Sequence, residues 1–222
     1  GLKENKFGVS EESALNLYKK AKTMDSILIK GIDCHIGSQI TDLKPFEDSV
    51  KKLIALIDKL EIEGINIEHI DIGGGIGISY EDEKAIPFDD YAKAVTTLTK
   101  GRDLKILLEP GRVIMADAGA ILTKVEYVKK TQDKNFAIID AAMNDLMRPS
   151  LYGAFHKIVN TSETTDKESV FDIVGPICET GDFIGKDRVI RIEPNNILVI
   201  MDTGAYAMSM SSNYNTRPRL YE

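Results

Sequence analysis

Short apolar runs alternate with longer amphipathic segments through the first half of the chain, and no other feature limits the fold as much. Lys6-Phe7-Gly8-Val9 predicts a short strand. Ser10 follows as a helix cap, with Glu11 and Glu12 in the first turn, where the helix dipole favours acids. Ala14, Leu15, Leu17 and Tyr18 give that helix an apolar face. Residues 26–32 predict the next strand. Phe46, Val50, Leu53, Ile54, Ile57 and Leu60 then recur at helical spacing, and Gly64 marks the exit. Residues 65–72 predict a third strand running into Gly73-Gly74-Gly75, and Phe88, Tyr91, Val95 and Leu98 predict another amphipathic helix. Leu104 and Ile106–Leu108 predict a buried fourth strand, which Pro110 ends because it cannot donate to a ladder. Such alternation signals a parallel α/β unit. Four repeats are half of an eightfold barrel and leave open strand edges. Either the sheet is doubly wound or the other half of a barrel is missing from this stretch.

Beyond Met115 the pattern changes. Residues 120–128, 136–139, 171–174 and 197–200 read as strands with no long helix between them, and Thr161–Glu168 reads as a polar surface loop. The expected division is a partial (β/α) barrel over 1–116 and a mainly β domain over 117–222. At 222 residues the chain can bury a real core. Its 28 Lys+Arg against 35 Asp+Glu, a net charge of −7, argue against non-specific nucleic-acid binding. Cys34 and Cys178 lie far apart with no metal-ligand spacing, which suits a reducing, cytoplasmic compartment. No apolar run approaches a membrane span, and no signal peptide is visible. The chain opens on Gly1 rather than Met and closes on Arg219-Leu220-Tyr221-Glu222; both ends are expected to be cuts within a longer protein.

Three strand ends carry chemistry. Glu109-Pro110-Gly111-Arg112 delivers a carboxylate and a guanidinium beyond the fourth strand, with Gly111 free to turn and to let a partner come close. The pair suits a ligand with a basic ring nitrogen and an anionic group, or is a surface ion pair. Gly73, Gly74 and Gly75 can expose backbone N–H groups to a phosphate, or form a flexible turn. They match neither a P-loop nor G-x-G-x-x-G. In His35-Ile36-Gly37-Ser38-Gln39 the imidazole could stack on a flat ring and Ser38 bond a phosphate oxygen, or His35 could be a packed structural residue. No His/Cys/carboxylate grouping for a metal is expected. Together the three ends specify a phosphorylated aromatic cofactor with a ring nitrogen.

These motifs, His35-Ile-Gly-Ser38, Asp71-Ile-Gly-Gly-Gly75 and Glu109-Pro-Gly-Arg112, resemble those of the fold-III pyridoxal-phosphate decarboxylases, and within them the diaminopimelate decarboxylase family. Three further stretches strengthen the resemblance: Met143-Asn-Asp-Leu-Met-Arg-Pro-Ser-Leu-Tyr152, Gly175-Pro-Ile-Cys-Glu-Thr-Gly-Asp182 and Asp202-Thr-Gly-Ala-Tyr206. It covers essentially the whole chain. The implied fold is α/β plus all-β: the second half of a (β/α)8 TIM-like barrel followed by a C-terminal β domain, as in alanine racemase. The implied cofactor is pyridoxal 5'-phosphate, and the implied reaction is decarboxylation of meso-2,6-diaminopimelate to L-lysine.

The resemblance also implies roles. Glu109 would face the pyridine nitrogen and keep it protonated. Ser38, Gly73–Gly75, Pro110, Gly111 and Arg112 would hold the phosphate, His35 would stack on the ring, and Tyr206 would add a hydroxyl. Arg112, Arg148 and Tyr152, with Tyr206, would bind the distal end of the substrate through its carboxylate, and Glu179 its ammonium. Cys178 would return a proton to Cα. The family places Cys178 and Glu179 in the neighbouring subunit's site, so a homodimer is implied. Thr180 stands where serine is usual and keeps the hydroxyl. Cys34 is left as a core thiol. Without the motif, Arg148 and Tyr152 read as a solvated loop. The family's Schiff-base lysine lies on the first barrel strand, and Lys3, Lys6 and Lys30 do not match its motif, so this stretch alone is expected to be inactive. Rival readings are a decarboxylase of ornithine, arginine or carboxynorspermidine, a non-catalytic homologue, and an inactive truncated product.

Overall fold

The computed structural model describes residues 6–221; Lys3 lies outside them. The chain divides into two compact units. One runs to Ile78 and resumes over Lys84–Val113; the other comprises Ser79–Glu83 and the residues from Ile114 onward.

The first unit is a parallel sheet with helices between its strands. Strands β1 (Gly31–Asp33), β2 (His69–Asp71) and β3 (Lys105–Leu107) lie in that order, with Ile32, Ile70 and Ile106 in register. Helix α1 (Glu11–Lys22) begins at Ser10, whose Oγ accepts the Ser13 N–H at 3.2 Å. Helix α2 (Lys44–Ile62) buries Phe46, Val50, Leu53, Ile57 and Leu60 of the predicted face and Leu56 beside them, while Ile54 is half-buried. It ends as the sequence suggests. Gly64 takes a left-handed φ of +68°, its N–H returns to the Glu61 carbonyl, and the Ile65 N–H returns to Leu60 O at 2.9 Å. Helix α3 (Phe88–Leu98) sets Tyr91 edge-on against Phe46, with ring centroids 5.1 Å apart.

Three expectations fail here. Lys6–Val9 is exposed and bent rather than a strand, and among the described residues no strand pairs with it. A strand persists only through its ladder, so an apolar run without a neighbour does not form one. The predicted strands over 26–32 and 65–72 shrink to β1 and β2. The fourth predicted strand, β3, is not buried: Ile106 and Leu107 are half-buried and Leu108 is exposed. Among the described residues its one ladder neighbour is β2, so it is an edge there.

The second unit holds β4 (Ile121–Lys130), β5 (Asn135–Ile139), β6 (Ile158–Asn160), β7 (Ser169–Val174), β8 (Phe183–Ile190) and β9 (Ile197–Ile200), in the order β6-β9-β4-β5-β7-β8. Only β5 and β7 pair in parallel. Alternate residues Val125, Ala137, Ile139, Phe171, Ile173, Leu198 and Ile200 face one core. Strands β6 and β8 were not expected. In β8 the alternation is broken at Asp187, which sits at φ +52° and donates its N–H to the buried Asp172 carboxylate at 2.8 Å. Short helices α4 (Arg112–Met115) and α5 (Arg148–Tyr152) complete the order. Among the described residues no helix is long and apolar enough to cross a membrane.

Candidate active site

In the first unit the segments beyond the strands stay side by side. Cys34 N–H donates to Asp71 O at 3.1 Å, Ile72 N–H to Leu107 O at 3.1 Å, and Glu109 N–H to Gly73 O at 2.9 Å. The three glycines make this possible. A Cβ on Gly73 would meet Cys34 O at 2.5 Å. One on Gly74 would overlap the Glu109 carbonyl oxygen, and one on Gly75 the Gly37 carbonyl oxygen. The run is therefore neither a flexible turn nor only a cradle: it is the spacer between three neighbouring loops. Two of its N–H groups are already engaged, Gly73 by Asp71 Oδ1 at 2.9 Å and Gly74 by His35 Nδ1 at 3.4 Å. Gly111 is not packed in this way. A Cβ there would meet nothing within 4 Å among the described residues, so the space beside it is open.

His35 is exposed, with Nδ1 turned to the glycine loop. Arg112 Nη2 donates to Ser38 Oγ at 3.1 Å. Gln39 pairs its amide with both backbone groups of Ile78, at 2.7 and 3.2 Å, and clamps the first loop to the second. Sequence spacing also missed a carboxylate cluster. Asp33, Asp71 and Glu109, one from each strand end, bring oxygens within 4.8 Å of one another. These residues are far apart in sequence, and the parallel register of their strands unites them. Burial first, then the Asp71 charge, lifts the Asp33 carboxyl above its ordinary range, and His35 opposes the rise. Such a cluster suits a cation. Cys34 is half-buried beside Ser49, with its sulfur 3.0 Å from that hydroxyl; burial raises its thiol, so it is a packing residue as expected.

In the second unit, buried polar side chains fix the loops. Asp182 is buried; its carboxylate accepts the Met143 N–H at 2.6 Å and the Ile177 N–H at 2.8 Å. It thereby ties the loop bearing Cys178 and Glu179 to the start of the Met143–Tyr152 stretch. Gly175 is required because a Cβ there would fall on that carboxylate. Burial raises the Asp182 carboxyl, against the two backbone donors. Asn144 Nδ2 donates to Ser212 O at 3.1 Å and Tyr214 O at 3.0 Å, and the Tyr214 hydroxyl reaches Glu179 Oε2 at 3.4 Å. Cys178 and Glu179 are both exposed. Arg148 and Tyr152, neighbours on α5, part company. Tyr152 is exposed, whereas Arg148 is buried, with Nη1 2.7 Å from His156 Nε2, and so is no solvated loop residue. Tyr206 is partly exposed at φ +66°, a strained position for a tyrosine. Its segment is laid down by Gly204, whose N–H donates to Ala116 O at 3.0 Å and whose Cβ would overlap Met115 O.

A family model described as pyridoxal-dependent decarboxylase, pyridoxal binding domain, matches residues 1–116. The chain belongs to this decarboxylase family. Membership brings pyridoxal 5'-phosphate as the family's cofactor, and the α/β strand repeats followed by a β module are its fold. The diaminopimelate decarboxylase of Vibrio cholerae is 50% identical over all of this chain and 54% of its own length. That of Neisseria meningitidis serogroup B is 52% identical over the same shares. The chain thus spans about half the length of the curated relatives it matches. A crystal structure of diaminopimelate decarboxylase from Helicobacter pylori, complexed with L-lysine, matches with a TM-score of 0.93 at 44% identity, covering 99% of this chain and 55% of that one. The lysine/ornithine decarboxylase of Vibrio vulnificus, complexed with cadaverine, matches with a TM-score of 0.89 at 22% identity over 97% of this chain and 60% of that one, a likeness of fold alone.

Proposed function

We propose that this chain carries cofactor- and substrate-binding residues of a diaminopimelate decarboxylase, a carboxy-lyase that converts meso-2,6-diaminopimelate to L-lysine and CO2. The observation that carries the reading is 50% identity over the whole chain to a curated enzyme of that activity. Pyridoxal 5'-phosphate fits the donor set of the first unit. The carboxylates of Asp33, Asp71 and Glu109 suit a protonated ring nitrogen, Arg112 and Ser38 suit a phosphate, and the space beside Gly111 leaves its backbone open to one. Bound there, the cofactor supplies an electron sink for the carbon that loses CO2.

The chain's own residues do the rest. Glu109 holds the proton on the ring nitrogen, and His35 offers its ring face while Nδ1 stays engaged with Gly74. Ser38, the backbone N–H groups of Gly75 and Gly111, and Arg112 bind the phosphate in a loop shaped by Gly73, Gly74 and Pro110, with the Tyr206 hydroxyl on the phosphate or the ring edge. Arg112, Arg148 and Tyr152 bind the distal carboxylate, and Glu179 the distal ammonium. The Cys178 thiol returns a proton to Cα. Exposure of Cys178 and Glu179 supports their acting in a second copy's site, hence a homodimer with shared sites. The functional division is 1–116 for the cofactor and 117–222 for substrate and dimer contacts. Two free cysteines support a cytoplasmic setting. No lysine here matches the cofactor-bearing position, so this chain alone is inactive and leaves no borohydride-stable cofactor adduct at a single lysine. The reading is tested in the whole enzyme by lysine and CO2 release. Meso-diaminopimelate should be preferred over ornithine by roughly 100-fold or more in kcat/KM, since ornithine lacks the distal carboxylate. Equal or faster turnover of ornithine overturns it.

A further inference from the structure

We infer that His156 is a positioning residue that aims Arg148, with Tyr80 bracing the pair; the inference rests on the reading of Arg148 as a contact to the distal carboxylate. His156 has 0% exposure and Arg148 7%, both within the second unit. His156 Nδ1 lies 2.9 Å from the carbonyl oxygen of Met201, just beyond β9. A carbonyl only accepts, so Nδ1 carries the proton. Nε2 lies 2.7 Å from Arg148 Nη1. A guanidinium only donates, so Nε2 must present its lone pair. The two bonds together admit one form of the ring, neutral with hydrogen on Nδ1.

The imidazole is thus an acceptor fixed to backbone, set against one arm of the arginine fork. Tyr80, from the segment that follows the glycine run, lies against the guanidinium at 4.4 Å and meets the His156 ring edge-on at 5.2 Å. A guanidinium held from one side and stacked on a ring has fewer orientations to lose when a carboxylate arrives. His156 needs no contact with substrate to act; it sets the direction from which Arg148 approaches.

The test uses the whole, cofactor-loaded enzyme with His156→Phe, His156→Gln and Arg148→Met, together with 15N spectra of histidine-labelled wild type. The spectra should show Nδ1 protonated and Nε2 bare at neutral pH; a protonated Nε2 overturns the inference. His156→Phe should raise KM for meso-diaminopimelate roughly 10-fold and leave kcat within about 3-fold, the pattern of lost uniform binding. His156→Gln returns an acceptor near the Nε2 position and should recover part of that loss; a glutamine no better than phenylalanine overturns the inference. With Arg148→Met in the background, His156→Phe should add little. If Arg148→Met leaves KM unchanged, the reading of Arg148 falls. If it raises KM while His156→Phe does not, that reading stands and the positioning role falls. Should His156→Phe fail to fold, the spectra and the glutamine variant against wild type decide.

Discussion

The two units hold their candidate residues by opposite means. In the first, backbone meets backbone: Gly73, Gly74 and Gly75 lie against the carbonyls of Cys34, Glu109 and Gly37, and the loops close because side chains are missing. In the second, the loops close because side chains are present. Asp182 joins Met143 to Ile177, Asn144 gathers Ser212 and Tyr214, and His156 joins Arg148 to Met201. A backbone contact tolerates no added atom, whereas a buried acceptor tolerates no lost one. The first arrangement suits a rigid cofactor with one pose. The second suits a substrate end whose recognition depends on hydrogen-bond geometry.

The sharpest break would come at the glycines. Gly75→Ala adds a methyl that overlaps Gly37 O at a backbone φ of +100°, so strain and collision act together. It should lower stability by roughly 2–5 kcal/mol in urea unfolding. Gly111→Ala, where nothing lies within 4 Å, should stay within about 0.5 kcal/mol of wild type. In the whole enzyme the same alanine should weaken cofactor binding in an absorbance titration, because it fills the space proposed for phosphate. Similar stability losses at the two positions would erase the contrast between a glycine needed by the fold and one needed by a ligand.

A smaller effect belongs to Asp182. Asp182→Asn turns an amide NH2 toward one of two backbone N–H groups, of Met143 or Ile177, and should cost about 1–3 kcal/mol. Its pH dependence has a definite sign. Burial raises the folded carboxyl above its unfolded value, so its contribution is full below the ordinary Asp range and is lost as pH rises through the raised value. The variant lacks that titration. The gap between wild type and variant should therefore widen as pH falls toward about 4; a narrowing gap would show that the two donors, rather than burial, govern the group.

How much of this could be read in advance follows the same contrast. Glycines announce themselves, so the loops beyond the three strands were legible as turns although their close approach was not. Helix α2 was legible from its apolar period and from Gly64, because both signals are local. Strand extents were not, since Phe7, Val9 and residues 27–29 are apolar but have no ladder neighbour among the described residues. Strand β8 was hidden by the bulge at Asp187. Asp182 was visible only as the end of a motif, and His156 and Tyr80 as unremarked polar residues, because burial and partner are properties of the folded chain. The Asp33–Asp71–Glu109 cluster required the parallel register itself.

That cluster gives the gentlest test, on a group fixed by side chains within the backbone-built unit. Asp71→Asn keeps an oxygen to accept the Gly73 N–H and removes one negative charge beside Asp33. The Asp33 carboxyl should fall toward its ordinary value, read by carbon NMR titration. Asp33 is exposed, so relief of the repulsion should add roughly a few tenths of a kcal/mol at neutral pH. With its folded pKa raised, Asp33 contributes stability below the ordinary Asp range, near about 4, and loses it as pH rises. The advantage of Asp71→Asn should accordingly shrink to nothing as acid neutralises the Asp33 carboxyl. An advantage that grows in acid would mean that the Gly73 hydrogen bond, and not the paired charge, is what Asp71 supplies to the unit. The carboxylates would then lose their standing as a seat for a protonated ring nitrogen.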